Sequence, residues 1–186
     1  ETPRLAIPGG SAAAVVRHIR SGLGARWRYV RLTWTDERCV PFEHADSNRG
    51  AAYRDGHLDR DDPPALDLSL FSEDRADLSL KRRALMAGVD FRLRFHAALD
   101  VTILGMGADG HIASLFGPGH TLMNEQSVIV AYRSPRAKIA VCAASKRSKV
   151  SGPGTGGRVV ITKGQRLSSI NAGIWGSAST AHTTQG

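Results

Sequence analysis

The chain is short of cysteine, of aromatic residues and, in its last third, of acids. Cys39 and Cys142 are its only cysteines in 186 residues and stand far apart, with no other ligand-type residues at metal-binding spacing. That excludes a disulfide-stapled scaffold and a zinc ribbon, and makes reduced thiols in a cytoplasmic setting the expectation. No apolar run approaches the roughly 18 residues that a membrane-spanning helix needs. The opening ETPRLAIPGG has no basic region followed by an apolar stretch, so no secretory leader is expected in it. No acid follows Glu125. Residues 1–100 carry sixteen Lys/Arg against fifteen Asp/Glu, whereas residues 101–186 carry nine against two, so most of the net charge of +8 lies in the last part. Such a charge can signal nucleic acid. Here it falls on no basic helix or aromatic-rich sheet, and aromatics are only 6% of the chain, so no nucleic-acid partner is expected. What is present is globular: 41% hydrophobic and 23% charged residues, in a length suited to one domain.

The most informative stretch is DVTILGMGADGHIASLF, Asp100 to Phe116. Val101, Ile103 and Leu104 have the composition of an inner parallel strand. A loop with Gly105, Gly107 and Gly110 around Ala108 and Asp109 follows. Ile112, Leu115 and Phe116 then fall at helical spacing. A strand, a glycine-rich turn and a helix start in that order present free backbone N–H groups to an anion. His111 at the first turn would be held neutral by the positive helix end and able to accept a proton. Asp109 can cap that helix or orient the ring.

Two further blocks carry chemistry. PRLAIP, residues 3–8, reads as a strand leading to Gly9, Gly10 and Ser11. Ala12 to Ile19 then reads as a helix with Ser11 at its N-cap and Val15, Val16 and Ile19 on its apolar face. YVRLTWT, residues 29–35, alternates as a strand, and DERCVPFEHADSN, Asp36 to Asn48, follows it. Arg38 after a strand end is placed to meet a phosphate or a developing oxyanion, with Asp36 and Glu37 holding it by charge pairing. Ser47 and Asn48 are neutral donors of the kind that bind phosphate or sugar hydroxyls. A helix from Asn48 to Gly56 is expected next, then an acidic, proline-broken loop at 59–67. Two helical pieces around Gly88 cover 75–99, with His96 structural or at the surface, and His18, His44 and His57 without a functional role. Strands are expected at 128–132, 139–144 and 158–162, separated by the basic linker SKRSKVSGPGTGG at 145–157.

Taken together, GMGADGHIASLF, DERCVP…SN and the Gly9–Ser11 turn resemble the 6-phosphogluconolactonase family of the glucosamine/galactosamine-6-phosphate isomerase superfamily, over roughly residues 3 to 123. The resemblance implies an α/β fold: a mainly parallel open sheet flanked by helices, Rossmann-like and three-layered. It also implies hydrolysis of the lactone of 6-phosphogluconate without metal or cofactor, on a phosphosugar lactone; for the oligomeric state a monomer is the default expectation. In these terms His111 is the general base, assisted by Asp109. Arg38 or the N–H groups near Gly107 and Gly110 stabilise the oxyanion. Gly9, Gly10, Ser11, Asp36, Ser47 and Asn48 bind substrate. Ala12 and Ala13 stand where the family has Thr-Pro, and one extra glycine follows Phe116. The start lies close to the first glycine turn and the end diverges, so the expectation is an N-terminally truncated member. An α/β unit would occupy 1–144 and a basic, divergent or partly disordered segment 145–186. The alternatives are a glucosamine-6-phosphate deaminase-like enzyme, a catalytically impaired sugar-phosphate binder, and a nucleic-acid domain using the basic tail.

Overall fold

A computed structural model describes residues 2–71, 77–95, 99–108, 110–115, 129–133, 140–144 and 158–163. The expectations for Asp109, His96 and Phe116 fall outside these residues. Five parallel strands form the main sheet. They are β1 (Arg4–Ile7), β2 (Arg31–Trp34), β4 (Leu66–Leu68), β5 (Val101–Met106) and β8 (Arg158–Lys163), in the order β4-β2-β1-β5-β8. A second, antiparallel sheet has the order β3-β7-β6, with β3 at Asp36–Arg38, β6 at Ile129–Arg133 and β7 at Ala140–Ala144. The mainly parallel α/β expectation holds.

β1 and β2 lie inside the sheet, so their side chains are covered on both faces, and Ile7, Leu32 and Trp34 lose all exposure. Val16, Val30 and Leu70 pack with them, and the two deeply buried indoles are satisfied: Trp27 Nε1 donates to Asp62 O at 3.0 Å and Trp34 Nε1 to Asp67 Oδ1 at 3.1 Å. At the entry edge, Arg4 grips Asp100 with two side-chain bonds of 3.0 and 2.6 Å, tying the starts of β1 and β5.

The order of strands positions the site. From β1 the chain moves to β2 and β4 on one side, then returns to place β5 on the other side of β1. The loops leaving β1 and β5 therefore diverge, and the crevice between them, beyond the strands' carboxyl ends, is where an open α/β sheet takes its ligand.

Several local expectations change. Tyr29 is not in β2; it ends a 3₁₀ turn, Gly24–Tyr29, and is exposed. Ser11 caps no helix. Gly10, at φ +62°, turns the chain into a 3₁₀ segment, Gly10–Ala14, which delays helix α1 to Val15–Leu23. Asp36–Arg38 is a strand rather than a loop, because the chain bends at Thr35 from one sheet into the other. Thr35 stays tied to β1 through its N–H to Ile7 O at 2.8 Å. Helix α2 (Asn48–Arg54) forms as expected. The two pieces around Gly88 are one helix, α3 (Leu80–Arg94), capped by Ser79. Gly88 interrupts nothing because it sits with Ala84, Ala87 and Phe91 on the buried face, where a small residue lets the helix pack closely.

Candidate active site

Gly9 follows β1 at the crevice, and its lack of a side chain is structural. A Cβ there would overlap the side-chain amide of Asn48. Asn48, almost fully buried at the first position of α2, joins two loops. Its Oδ1 accepts from Arg38 Nη1, while its Nδ2 donates to Asp36 O at 3.0 Å, which fixes the orientation of the amide. Arg38 is thus bonded to a neutral partner, and the Asp36 charge acts on it through space.

Glu37 is spent elsewhere. Only 2% exposed, it accepts from the N–H groups of Arg38 (2.8 Å), Asn48 (2.7 Å) and Arg49 (2.8 Å). A carboxylate facing the orphan N–H groups of a helix start is favoured by hydrogen bonding and by the dipole. Burial nevertheless pushes its carboxyl up, the backbone donors pulling the other way. Ser47 is the N-cap: its Oγ accepts from Gly50 N at 2.9 Å and donates to Glu37 Oε2 at 3.4 Å. Buried and engaged on both sides, it has no free donor for a ligand.

The stretch after β5 is a tight turn. Gly107 N donates to His111 O at 2.9 Å, Gly110 N to Gly107 O at 3.0 Å, and Ile112 bridges to Met106 and Leu115. No helix starts within residues 110–115, so the dipole argument for His111 does not apply there. The spacing of Ile112 and Leu115 comes from the turn, which brings these residues together as a bridge. Ala113 takes φ 50°, a left-handed conformation unusual for a residue with a side chain. This kinked segment points Ser114 at Asp36, the Oγ donating to Oδ2 at 2.5 Å. Asp36 is buried. Desolvation raises its carboxyl above the ordinary range, opposed by Ser114, by Arg38 and by the half-buried His111, near enough to act on it through space.

β5 reaches the first glycine turn as well: a side chain at Gly105 would press on Ala12 Cβ at 3.0 Å. The Gly9–Ser11 turn, the strand Asp36–Arg38 and the turn carrying Gly107 and Ser114 therefore border one crevice. Gly10 and Ser11 are exposed there, Gly9 and Gly107 half-buried. Ser114 is the member with no expected role; it lies within the motif GMGADGHIASLF, but nothing local marks its partner 78 residues away. Among the described residues no group of three or more His, Cys, Asp or Glu could hold a metal ion.

An open, mainly parallel sheet with Arg, His and glycine turns at a topological switch point defines an α/β protein of the class whose ligand crevices lie at the strands' carboxyl ends. A model of the glucosamine-6-phosphate isomerases/6-phosphogluconolactonase family matches residues 1–144, and the chain belongs to that family. A 6-phosphogluconolactonase of Neisseria meningitidis is 35% identical over 112 residues, 60% of this chain and 47% of that one. A rice protein named probable 6-phosphogluconolactonase 3, chloroplastic, is 36% identical over 140 residues, 69% of this chain and 42% of its own length. Among solved structures, a 6-phosphogluconolactonase of Shewanella baltica superposes with TM-score 0.65 at 26% identity, covering 77% of this chain and 61% of the other. The chain spans about half the length of the curated relatives it matches.

Proposed function

We propose that the protein hydrolyses 6-phospho-D-glucono-1,5-lactone to 6-phosphogluconate, the lactone-opening step of the pentose phosphate pathway. The observation that carries this reading is Asp36. It joins the strand bearing Arg38 to the turn bearing His111, at the mouth where Gly9–Ser11 offers backbone donors. The names of the relatives and the family membership support the substrate.

In this reading the phosphate lies on the Gly9–Ser11 turn with the Arg38 guanidinium beside it. His111 takes a proton from water as the water oxygen attacks the lactone carbonyl. The oxyanion so formed is met by Arg38 or by N–H groups of the Gly107–Gly110 turn. The bond from the carbonyl carbon to the ring oxygen then breaks, and His111 returns the proton to that oxygen, leaving an acid and an alcohol. Asp109 assists His111. Asp36, Ser47 and Asn48 act by holding Arg38 and the turns rather than by touching substrate. No metal or cofactor enters these steps. The setting we propose is a cytoplasmic monomer, with one α/β unit over residues 1–144 and a basic linker beyond it. No helix among the described residues is long and apolar enough to cross a membrane.

The test is the rate of lactone opening above the spontaneous rate, for this chain and for His111→Ala. We expect acceleration in the first and a loss of about 10²–10⁴-fold in the second. A folded sample that binds 6-phosphogluconate without accelerating the reaction would overturn the proposal in favour of a sugar-phosphate binder.

A further inference from the structure

Behind α2 lies a second cavity, of about 420 Å³, between α1, α2 and the loop that runs through Gly56 to Arg60. Its α2 residues, Gly50, Tyr53 and Arg54, lie on the side of the helix opposite Asn48, at about 3.6 residues per turn. The cavity is therefore separate from the crevice at Gly9 and Arg38.

Three guanidinium groups line it: Arg20 from α1, Arg54 from the end of α2, and Arg60 from the loop. Two carboxylates, Glu43 and Asp59, stand against them, and both are held loosely. Arg60 reaches Glu43 only at 3.5 Å, in a pair exposed to water on both sides, and Arg20 reaches Asp59 at 3.6 Å. Contacts of that length at a wet surface hold little and exchange readily. Arg54 is bonded to a carbonyl, Ala45 O at 3.0 Å, with no carboxylate paired to it among the described residues. Arg20 keeps a tighter partner in Asp62, at 3.0 Å, and its Nη1 donates to His57 O at 3.4 Å, so it lines the cavity as a fixed charge. Arg60 is largely exposed, but its guanidinium lies 5.1 Å over the Phe42 ring, which keeps it near the cavity. The Tyr53 hydroxyl is already committed to Asp67 at 2.9 Å, so the guanidinium forks are the principal donors left.

We propose that this cavity is a second anion site, taking a phosphate group between Arg20, Arg54 and Arg60. Guanidinium forks match the tetrahedral oxyanion, and Arg54 faces the cavity without a paired carboxylate among the described residues. The incoming anion displaces the Glu43 side chain from Arg60. The proposal does not depend on the lactonase reading.

The test is a titration of the full chain with inorganic phosphate, followed through the arginine Nε–H signals in ¹H–¹⁵N spectra. We expect the Arg20, Arg54 and Arg60 signals to move together along one saturable curve at concentrations up to about ten millimolar. Added chloride should weaken the binding, and Arg54→Gln with Arg60→Gln should weaken it roughly tenfold or more. Arg38→Gln should leave the curve in place. Arg20, Arg54 and Arg60 signals that stay still in the wild-type chain would overturn the site. So would a curve that survives the double variant, or one that disappears with Arg38→Gln and thereby reports the first crevice.

Discussion

The Ser114 hydroxyl donates to Asp36 Oδ2 at 2.5 Å, across 78 residues of sequence and from one sheet's exit turn to the other sheet's first strand. This bond closes the crevice. It holds the turn that carries His111 against the strand that carries Arg38.

Ser114→Ala should therefore do two things. It strips a buried carboxyl of a donor, which costs about 1–3 kcal/mol in urea unfolding. It also loosens the His111 turn, so lactone opening should fall more steeply than the fraction of folded protein. An unchanged rate per folded molecule would contradict the positioning role.

Gly9→Ala should displace Asn48, because the new methyl group takes the place of that amide. Arg38 then loses its oxygen partner. The expected outcome is weaker binding of 6-phosphogluconate by calorimetry and a stability loss of roughly 1–3 kcal/mol.

Buried Asp36 and Glu37 both have carboxyls pushed above their ordinary values of 3.8 and 4.5, desolvation being the chief cause. A raised carboxyl favours folding while it is protonated. Its contribution is whole below the ordinary value and is lost as pH rises through the folded value. Stability should thus decline with rising pH across that window, and Asp36→Asn should flatten the decline. Chemical denaturation at a series of pH values reads it directly.

His57 predicts the opposite slope. Its Nδ1 accepts from Arg17 Nε at 2.9 Å, so the proton sits on Nε2. Burial, then the Arg17 charge, hold its pKa below the ordinary 6.5. Its share of stability is whole above 6.5 and lost as pH falls through the lower folded value. His57→Gln should remove that acid-side loss, seen as a smaller drop in Tm on acidification.

The strands, the parallel sheet and the glycine turns were legible because each rests on local signals: β-branched runs and glycines at strand ends. The errors came where distant contacts decide. Helical spacing at Ile112 and Leu115 is equally the spacing of a tight turn closed by a bridge to Met106. The pairing of Glu37 with Arg38 is plausible between neighbours, but the helix start ten residues on offers two N–H groups, of Asn48 and Arg49, and the Ser47 hydroxyl. Gly88 looks like a break until Ala84, Ala87 and Phe91 place it on a packed face. The bend at Thr35 has no signature of its own; it follows from a bond to Ile7 in another strand.

β1 pairs with β2 early and with β5 late, Leu5 meeting Val101. One flank of the crevice can thus assemble from short loops, whereas the other waits on a long closure, and distant pairings of this kind slow folding. As the chain leaves the ribosome, β1, β2 and β4 have their partners at hand while the exposed edge of β1 stands open until β5 emerges. That edge is the stretch a chaperone or a second nascent chain would meet first. The crevice comes into being only after β5, later than the flank built from β1, β2 and β4.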